Sequence, residues 1–409
     1  MTSRIALALL FCVGASPAIA QTEAPNASSD EIIVTGTPLE NSGLALAECL
    51  AKGCPPEEDM RLSLEHAENQ FVAGVYKDGA STLNKSISRN KKHRGEYPVL
   101  LSGLYRASGR FAEHLGEADD FKFATLNMQD TLEDAFGKDD PKVLIAQTEV
   151  GDSRAKLGSV RGARDSYRAV ERRALELGQY RVATFARMRL ALLMRLEWNA
   201  DRDNSALQRR YEESLAQLIN EPLENSEDFS MVARVLQARL DNTLGRPDAI
   251  ENLIKVFVES GGTDTPVLLS EEPIRNSEFR NYGSNGVSSS GESNTLARLT
   301  TPQLNTPRFV DVGFYIQPDG TTNQIEVLRS QGPTRWHDAL IKNIDSRIYA
   351  PLNIDPTSPG RFHIERYTLT ARFADITTST RIRQREPNFR VERLDLTPEN
   401  YGDMVTKPS

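Results

Sequence analysis

The sequence predicts an α+β chain in two parts, a long α-helical repeat array followed by a small β-β-α-β domain. Three observations support that division. From Glu57 to Ser260 apolar residues recur at helical spacing, with few strand signals. Gly261 to Thr306 breaks this rhythm with Gly, Pro, Ser and Asn. From Arg308 to Phe373 the period becomes the alternation of half-buried strands, interrupted by one helix. At 409 residues the chain has room for two or three domains.

Residues 1–20 read as a targeting signal. Arg4 gives a positive n-region, Ile5 to Val13 an apolar core, and Ala18-Ile19-Ala20 a small-x-small cleavage site before Gln21. The apolar run is shorter than the roughly 20 residues a membrane span needs. Export to the periplasm in soluble form is therefore expected. Residues 21–47 are expected to be disordered, because Ala, Asn, Ser, Thr and Pro dominate Gln21 to about Gly43. One run stands out there, Asp30-Glu31-Ile32-Ile33-Val34-Thr35-Gly36, whose β-branched residues make it a strand donor for another sheet edge.

Beyond Cys12 in the signal, the cysteines are Cys49 and Cys54. A close pair in an exported protein reads as a disulfide. Its short loop gives about 2 kcal/mol. A metal site would need two further ligands, and the nearest histidine in sequence is His66. The spacing is not Cys-x-x-Cys, so a redox role is disfavoured.

The helical region, residues 48–260, carries recurring small and large positions. Ala67, Phe71, Gly74, Tyr76, Ala80 and Leu83 form one series across two helices and a tight turn. Ala146, Gly151, Leu157-Gly158, Ala163, Tyr167 and Val170 form a second, and Leu244-Gly245, Ala249 and Leu253 repeat its latter half. Gln179 to Trp198 and Ser205 to Ile219 supply another long pair, whereas around Tyr97 to Phe136 the periodicity blurs. The pattern resembles degenerate tetratricopeptide (TPR) repeats, with small residues letting paired helices approach and large ones filling between neighbours. The resemblance implies about four to six helical pairs with a concave binding surface. An irregular helical bundle is the alternative.

Residues 261–306 are expected to be a linker, in which Pro266 to Ile274 is an extended segment. The domain at 307–374 begins with a strand, Phe309 to Ile316, carrying Val310, Val312, Phe314 and Ile316 on one face. Pro318-Asp319-Gly320 supplies a turn. A second strand runs from Gln324 to Ser330, with Ile325 and Val327 on one face and Leu328 on the other. Trp336, Leu340, Ile344 and Ile348 recur every four residues and predict a helix over Trp336 to Tyr349. A last strand covers Phe362 to Phe373, with Tyr367, Leu369, Ala371 and Phe373 opposite Arg366, Thr368, Thr370 and Arg372. In the tail, residues 375–409, mixed charges suggest a solvated extension with a short strand at Phe389 to Leu394.

Val-Asp-Val-Gly-Phe, Pro-Asp-Gly, Ile-Glu-Val-Leu-Arg-Ser-Gln-Gly and the helix ending Arg347-Ile-Tyr-Ala-Pro351 come in an order that resembles the C-terminal domain of TonB-type energy transducers. That family's domain is a periplasmic β-β-α-β module that grips outer-membrane receptors by pairing a strand with their N-terminal TonB box. The resemblance implies that the last strand is the binding edge, through Arg366, Thr368, Thr370 and Arg372. Glu31, Ile32, Ile33, Val34 and Thr35 in turn resemble a TonB box. The Tyr-Pro pair usual before the family's first strand is absent, since Pro273 is followed by Ile274-Arg275.

A net charge of −8 and a pI near 5.4 argue against nucleic acid and anionic membrane surfaces as partners. The five histidines, His66, His93, His114, His337 and His363, fall in no metal-ligand spacing. Neither a nucleophile elbow nor a phosphate loop occurs. Acidic runs such as Glu57-Glu58-Asp59 are expected on exposed helix ends, where they favour the helix dipole. The sequence thus points to a non-enzymatic adaptor for envelope proteins, linked to TonB-dependent transport, with no cofactor, metal or small-molecule substrate. An uncleaved N-terminal segment would instead make it an inner-membrane-anchored transducer. An envelope hydrolase would need a polar cleft that nothing in the sequence announces.

Overall fold

A computed structural model of the chain describes residues 36–246, 248–274, 308–332, 334, 336–371 and 389–397. Eleven α-helices lead: α1 (Gly36–Lys52), α2 (Pro56–Val72), α3 (Tyr76–Asn90), α4 (Pro98–Leu115), α5 (Ala118–Phe136), α6 (Pro141–Lys156), α7 (Val160–Glu176), α8 (Tyr180–Ala200), α9 (Ser205–Asn220), α10 (Glu227–Thr243) and α11 (Ala249–Glu259). Their starts have local causes. Pro56, Pro98 and Pro141 occupy first-turn positions, where a missing N–H costs nothing. Asp140 caps α6 by accepting from the Lys142 N–H at 2.8 Å, and Asn204 caps α9.

Each helix packs on its successor, and α2 also meets α4, α6 meets α8, and α8 meets α10. This is stacking of helical hairpins: five pairs from α2 to α11, with α1 ahead of them. Close approach depends on small residues at named places. A Cβ on Gly151 of α6 would lie 2.5 Å from the Tyr167 ring of α7. Ala67, Ala146 and Ala163 are fully buried, as are Leu83 and Val170. The region where the periodicity blurs holds α4 and α5, whose longer helices bury Leu101, Leu104, Met128 and Leu132.

Two antiparallel sheets follow. The strands are β1 (Leu268–Ser270), β2 (Arg308–Ile316), β3 (Thr322–Gln331), β4 (Ile348–Tyr349), β5 (Arg361–Thr370) and β6 (Arg390–Asp395), with helix α12 (His337–Asp345) between β3 and β4. The main sheet has the order β3-β2-β5-β6, and β1 pairs with β4 beside it. Val310, Val312, Phe314, Ile316, Tyr367 and Leu369 share one core with Trp336, Leu340 and Ile344. The strand-strand-helix-strand order expected between Phe309 and Phe373 is therefore present, with β4 inserted after the helix.

Several expectations need correction. Residues 36–47 are not disordered but form most of α1, whose Leu46 and Cys49 pack with Leu62 of α2. The helix expected to reach Tyr349 stops at Asp345, because Ile348 and Tyr349 find a backbone partner in β1. The Pro266–Ile274 segment supplies that partner, so it belongs to the domain rather than to a linker. The tail is likewise not simply solvated, since Arg390–Asp395 forms β6, as the strand expected at Phe389 to Leu394 anticipated. Asp59 is not on an exposed helix end. It is buried between α2 and α3, where it accepts from Arg89 at 2.6 and 2.8 Å, Asn90 at 2.7 Å and Ser63 at 2.9 Å. His337 is buried at the start of α12.

Candidate functional site

The array-facing side of β5 carries Arg366, Thr368 and Thr370, the first three residues expected to form a binding rim; Arg372 lies outside the described residues. All three are buried. Arg366 is fully enclosed, and its guanidinium forks onto Asp311 of β2 at 2.6 and 2.7 Å. Its remaining N–H groups donate to the carbonyls of Phe71 at 2.5 Å and Val72 at 2.6 Å, at the end of α2. Its plane lies 4.2 Å from the centroid of the Phe309 ring. Arg329 of β3 joins the same junction, donating to Asp311 at 2.7 Å and to the Val72 carbonyl. Two cations thus cap a helix C-terminus, where unpaired carbonyls and the macrodipole concentrate negative charge. Burial works against the Arg366 charge, but its hydrogen bond to Asp311 holds it above the usual arginine range.

Beside this junction Thr368 Oγ1 bonds His114 Nδ1 at 2.9 Å and the Tyr76 hydroxyl at 3.3 Å. Burial, helped by Lys156, Arg110, Arg366 and Arg390, lowers His114 to about 3, so its ring is neutral. The α2–α3 turn fits against β2 because it holds glycine. Gly74 has φ +80°, and a Cβ there would stand 2.3 Å from the Phe309 ring. Phe71 and Tyr76, read from sequence only as helix-packing residues, pack in one cluster with Phe309 of the sheet.

The last long strand is therefore not an edge. On one side it pairs with β2 and on the other with β6, from Glu365↔Asp395 to Thr370↔Arg390. The physical reason is that the chain's own tail supplies the backbone partner, and the exposed-rim assignment of Arg366, Thr368 and Thr370 falls with it. The β6 strand is itself tied down. Leu394 packs into the α2–α4 cluster, Val391 into the sheet's core, and Arg393 donates to Glu271 at 2.9 Å. Glu392 is raised by burial and by Glu113, which pairs with Lys156 at 2.5 Å. The sheet is therefore seated on the array, against α2, α3, α4 and α10. Contacts run from α2 and α4 to α10, whose Arg239 donates to the Leu269 carbonyl of β1 at 3.0 Å.

Under the sheet's other face a second buried network links the remaining elements. Arg347, fully enclosed, pairs with Glu365 at 3.0 Å and donates to the hydroxyls of Tyr349 and Tyr367 at 3.1 and 2.8 Å and to Asn343 at 2.9 Å. Burial disfavours the Glu365 charge, yet His363 and Arg347 hold its carboxyl far below the usual range. Most of these groups hydrogen-bond one another, and Arg347 Nε lies 3.4 Å from Glu271.

What stays open is β3. It pairs with β2 alone, and among the described residues its outer backbone groups have no strand partner. Seven of its ten residues are exposed, including Val327 at 42% and Leu328 at 39%. Two register irregularities, opposite Asp311/Val312 and Gly313/Tyr315, divide the rim, and Gln324 has φ +50°. Bulges of this kind blunt an edge against indiscriminate pairing. Leu328 reads from sequence as the odd face of its strand; an apolar residue outside the alternation was the available sign of the bulge.

Cys49 and Cys54 are joined, with Cα atoms 5.1 Å apart at the end of α1. Glu58 is close enough to complete a three-ligand group with them, but sulfurs held in a disulfide are not thiolate ligands. Glu31, Ile32, Ile33, Val34 and Thr35 lie outside the described residues. No described helix is long and apolar enough to cross a membrane.

No protein-family model matches the chain, and no curated protein does. Among solved structures it is similar to BtubC (BKLC) from P. vanneervenii, at 14% identity over 56% of this chain and 90% of that one, with a TM-score of 0.41. It is also similar to the nearly identical TPR-like repeats of a Podosopora anserina protein assigned as a kinesin light chain, at 14% identity over 49% and 93% of the two chains, TM-score 0.37. A point variant of those repeats gives 13% identity over 45% and 87%, TM-score 0.37. At such scores the description of the array rests on its own helix packing.

Proposed function

We propose that the protein is a non-enzymatic adaptor of the periplasm that receives a strand of an envelope protein on the β3 rim and serves TonB-dependent outer-membrane transport. The observation that carries this reading is the asymmetry of the sheet: β5 and β6 are enclosed, and β3 keeps a free ladder edge among the described residues. Backbone groups at such an edge gain hydrogen bonds from an added strand, and the flanking side chains set which strand is accepted. The exposed Val327 and Leu328 offer apolar contacts to that strand. The helical array serves here as a rigid seat that fixes the sheet and closes its other rim. The signal-like residues 1–20 and the resemblance of residues 308–373 to TonB C-terminal domains support the compartment and the pathway.

A photoreactive side chain at Leu328, introduced in cells, tests this. The expected adduct is a TonB-dependent receptor or another component of that transport system, with none formed from Leu196 on the helical array. Equal labelling from both positions, or adducts free of envelope proteins, contradicts the proposal.

A further inference from the structure

Helix α1 ends in a backbone arrangement that brings Cys49 and Cys54 together without help from the bond between them. Gly53 takes φ +65°, a left-handed conformation that suits glycine. The turn lets the Gly53 N–H donate to the Leu50 carbonyl at 3.3 Å and the Cys54 N–H to the Cys49 carbonyl at 3.1 Å. These two bonds are the paired closures of a Schellman helix end, in which residues placed as Cys49 and Cys54 are here come into side-chain contact. Pro55 and Pro56 follow at once and open α2, whose Leu62 packs with Leu46 and Cys49. The Cα separation of 5.1 Å is therefore set by the helix end and its packing. Reduction removes the sulfur–sulfur bond and leaves those backbone bonds in place.

A third group faces the sulfurs. Glu58, in the first turn of α2, places a carboxylate oxygen within 4.8 Å of both. Its side chain is exposed and makes no hydrogen bond or ion pair among the described residues, while the nearby Lys52 is engaged with Glu48 at 2.5 Å. Cys49 is buried and Cys54 half-buried, so the group is anchored on one side and open to solvent on the other. Two thiolates and one carboxylate are a donor set for zinc, which takes sulfur at about 2.3 Å and oxygen at about 2.0–2.2 Å, with water in a fourth position. Calcium and magnesium, which call for oxygen ligands throughout, do not suit it. The start of α2 also favours negative charge, on the thiolates and on Glu58 alike.

We propose that Cys49, Cys54 and Glu58 form a zinc site that becomes available only when the disulfide is reduced. This stands apart from the reading of the β3 rim. A dithiol reductant supplies two electrons and two protons, itself becoming a disulfide, and leaves two cysteine thiols. Zinc then takes the place of the two thiol protons, which pass to water, and Glu58 binds as the carboxylate. The end of α1 thereby couples metal binding to the thiol–disulfide balance of its compartment, exchanging a covalent bridge for a metal one.

The test uses the full chain carrying Cys12→Ser, so that Cys49 and Cys54 are the cysteines that remain. It is compared in the disulfide form and after reduction by a phosphine that is then removed. Calorimetric titration with zinc measures affinity, and cobalt(II) serves as the spectroscopic probe. The reduced chain should bind a single zinc at least about 100-fold tighter than the disulfide form. It should also show thiolate-to-cobalt charge-transfer absorption and keep its helical circular dichroism. Glu58→Gln, an exposed change, should weaken zinc binding about 10-fold or more and keep that absorption, as expected for loss of the carboxylate ligand. Cys54→Ser should abolish the absorption. Equal zinc binding by the two forms, a cobalt spectrum without thiolate absorption, or undiminished affinity in Glu58→Gln overturns the proposal. So does loss of helix on reduction, which would show that the sulfur bond and not the helix end holds the cysteines together.

Discussion

The two rims of the four-stranded sheet are built from the same chemistry and treated in opposite ways. At the β6 side, the chain closes its own ladder and then buries the closing strand: Leu394 enters the α2–α4 cluster and Glu392 lies near Glu113 and Lys156. At the β3 side, most residues are exposed and the outer ladder edge has no strand partner among the described residues. An edge is therefore assigned by what packs over it and not by the strand's place in the chain. The last strand of the β-β-α-β order is the best enclosed, and the second is the most open.

The largest expected effect lies on the enclosed side. Arg366→Ala leaves Asp311 and two helix-terminal carbonyls with fewer donors in a buried setting. Removing one partner of such a pair costs about 3–5 kcal/mol. Denaturant unfolding should show that loss for the array and the sheet together. If only the sheet is loosened while the helices keep their stability, the junction is not what couples them.

Next is the dependence on pH. His114 is buried and neutral, with its folded-state value lowered to about 3. The unfolded chain takes up this proton near pH 6.5, so the contribution is complete above that pH and lost progressively as the pH falls toward 3. Between pH 7 and 5 this amounts to about 2 kcal/mol. His114→Asn should flatten that part of the profile, and an unchanged slope would show that His114 is not enclosed against Thr368.

The smallest effect on stability belongs to the open rim. Leu328→Lys should change stability by no more than about 0.5 kcal/mol, as an exposed substitution, while weakening strand addition. A loss of several kcal/mol would mean that β3 is covered in the folded chain.

Much of this is legible from the residues alone. The helices follow from their spacing, and the sheet core follows from Val310, Val312, Phe314 and Ile316 with Trp336 and Leu340. The assignment of faces also holds, since Arg366, Thr368 and Thr370 do lie opposite Tyr367 and Leu369. What these polar residues meet is not readable locally, because Phe71, Val72 and His114 are more than 250 residues away in sequence. A polar face signals water or a polar partner equally well. Residues 36–47 look disordered in sequence because Leu39, Leu44 and Leu46 are sparse among small and polar residues, and the helix depends on packing against α2. The closing of the sheet by β6 is half visible: a strand is expected at Phe389 to Leu394, but nothing local says which edge it joins.

The central claim is that the sheet is seated on the helical array as one unit, with β5 locked and β3 the open rim. Native-state hydrogen exchange of the full chain tests it most directly. The account predicts that amides of Phe362–Thr370 exchange as slowly as those of α2 and α4, while the outward amides of Thr322–Gln331 exchange faster by orders of magnitude. Fast exchange along Phe362–Thr370, independent of the helices, would contradict it.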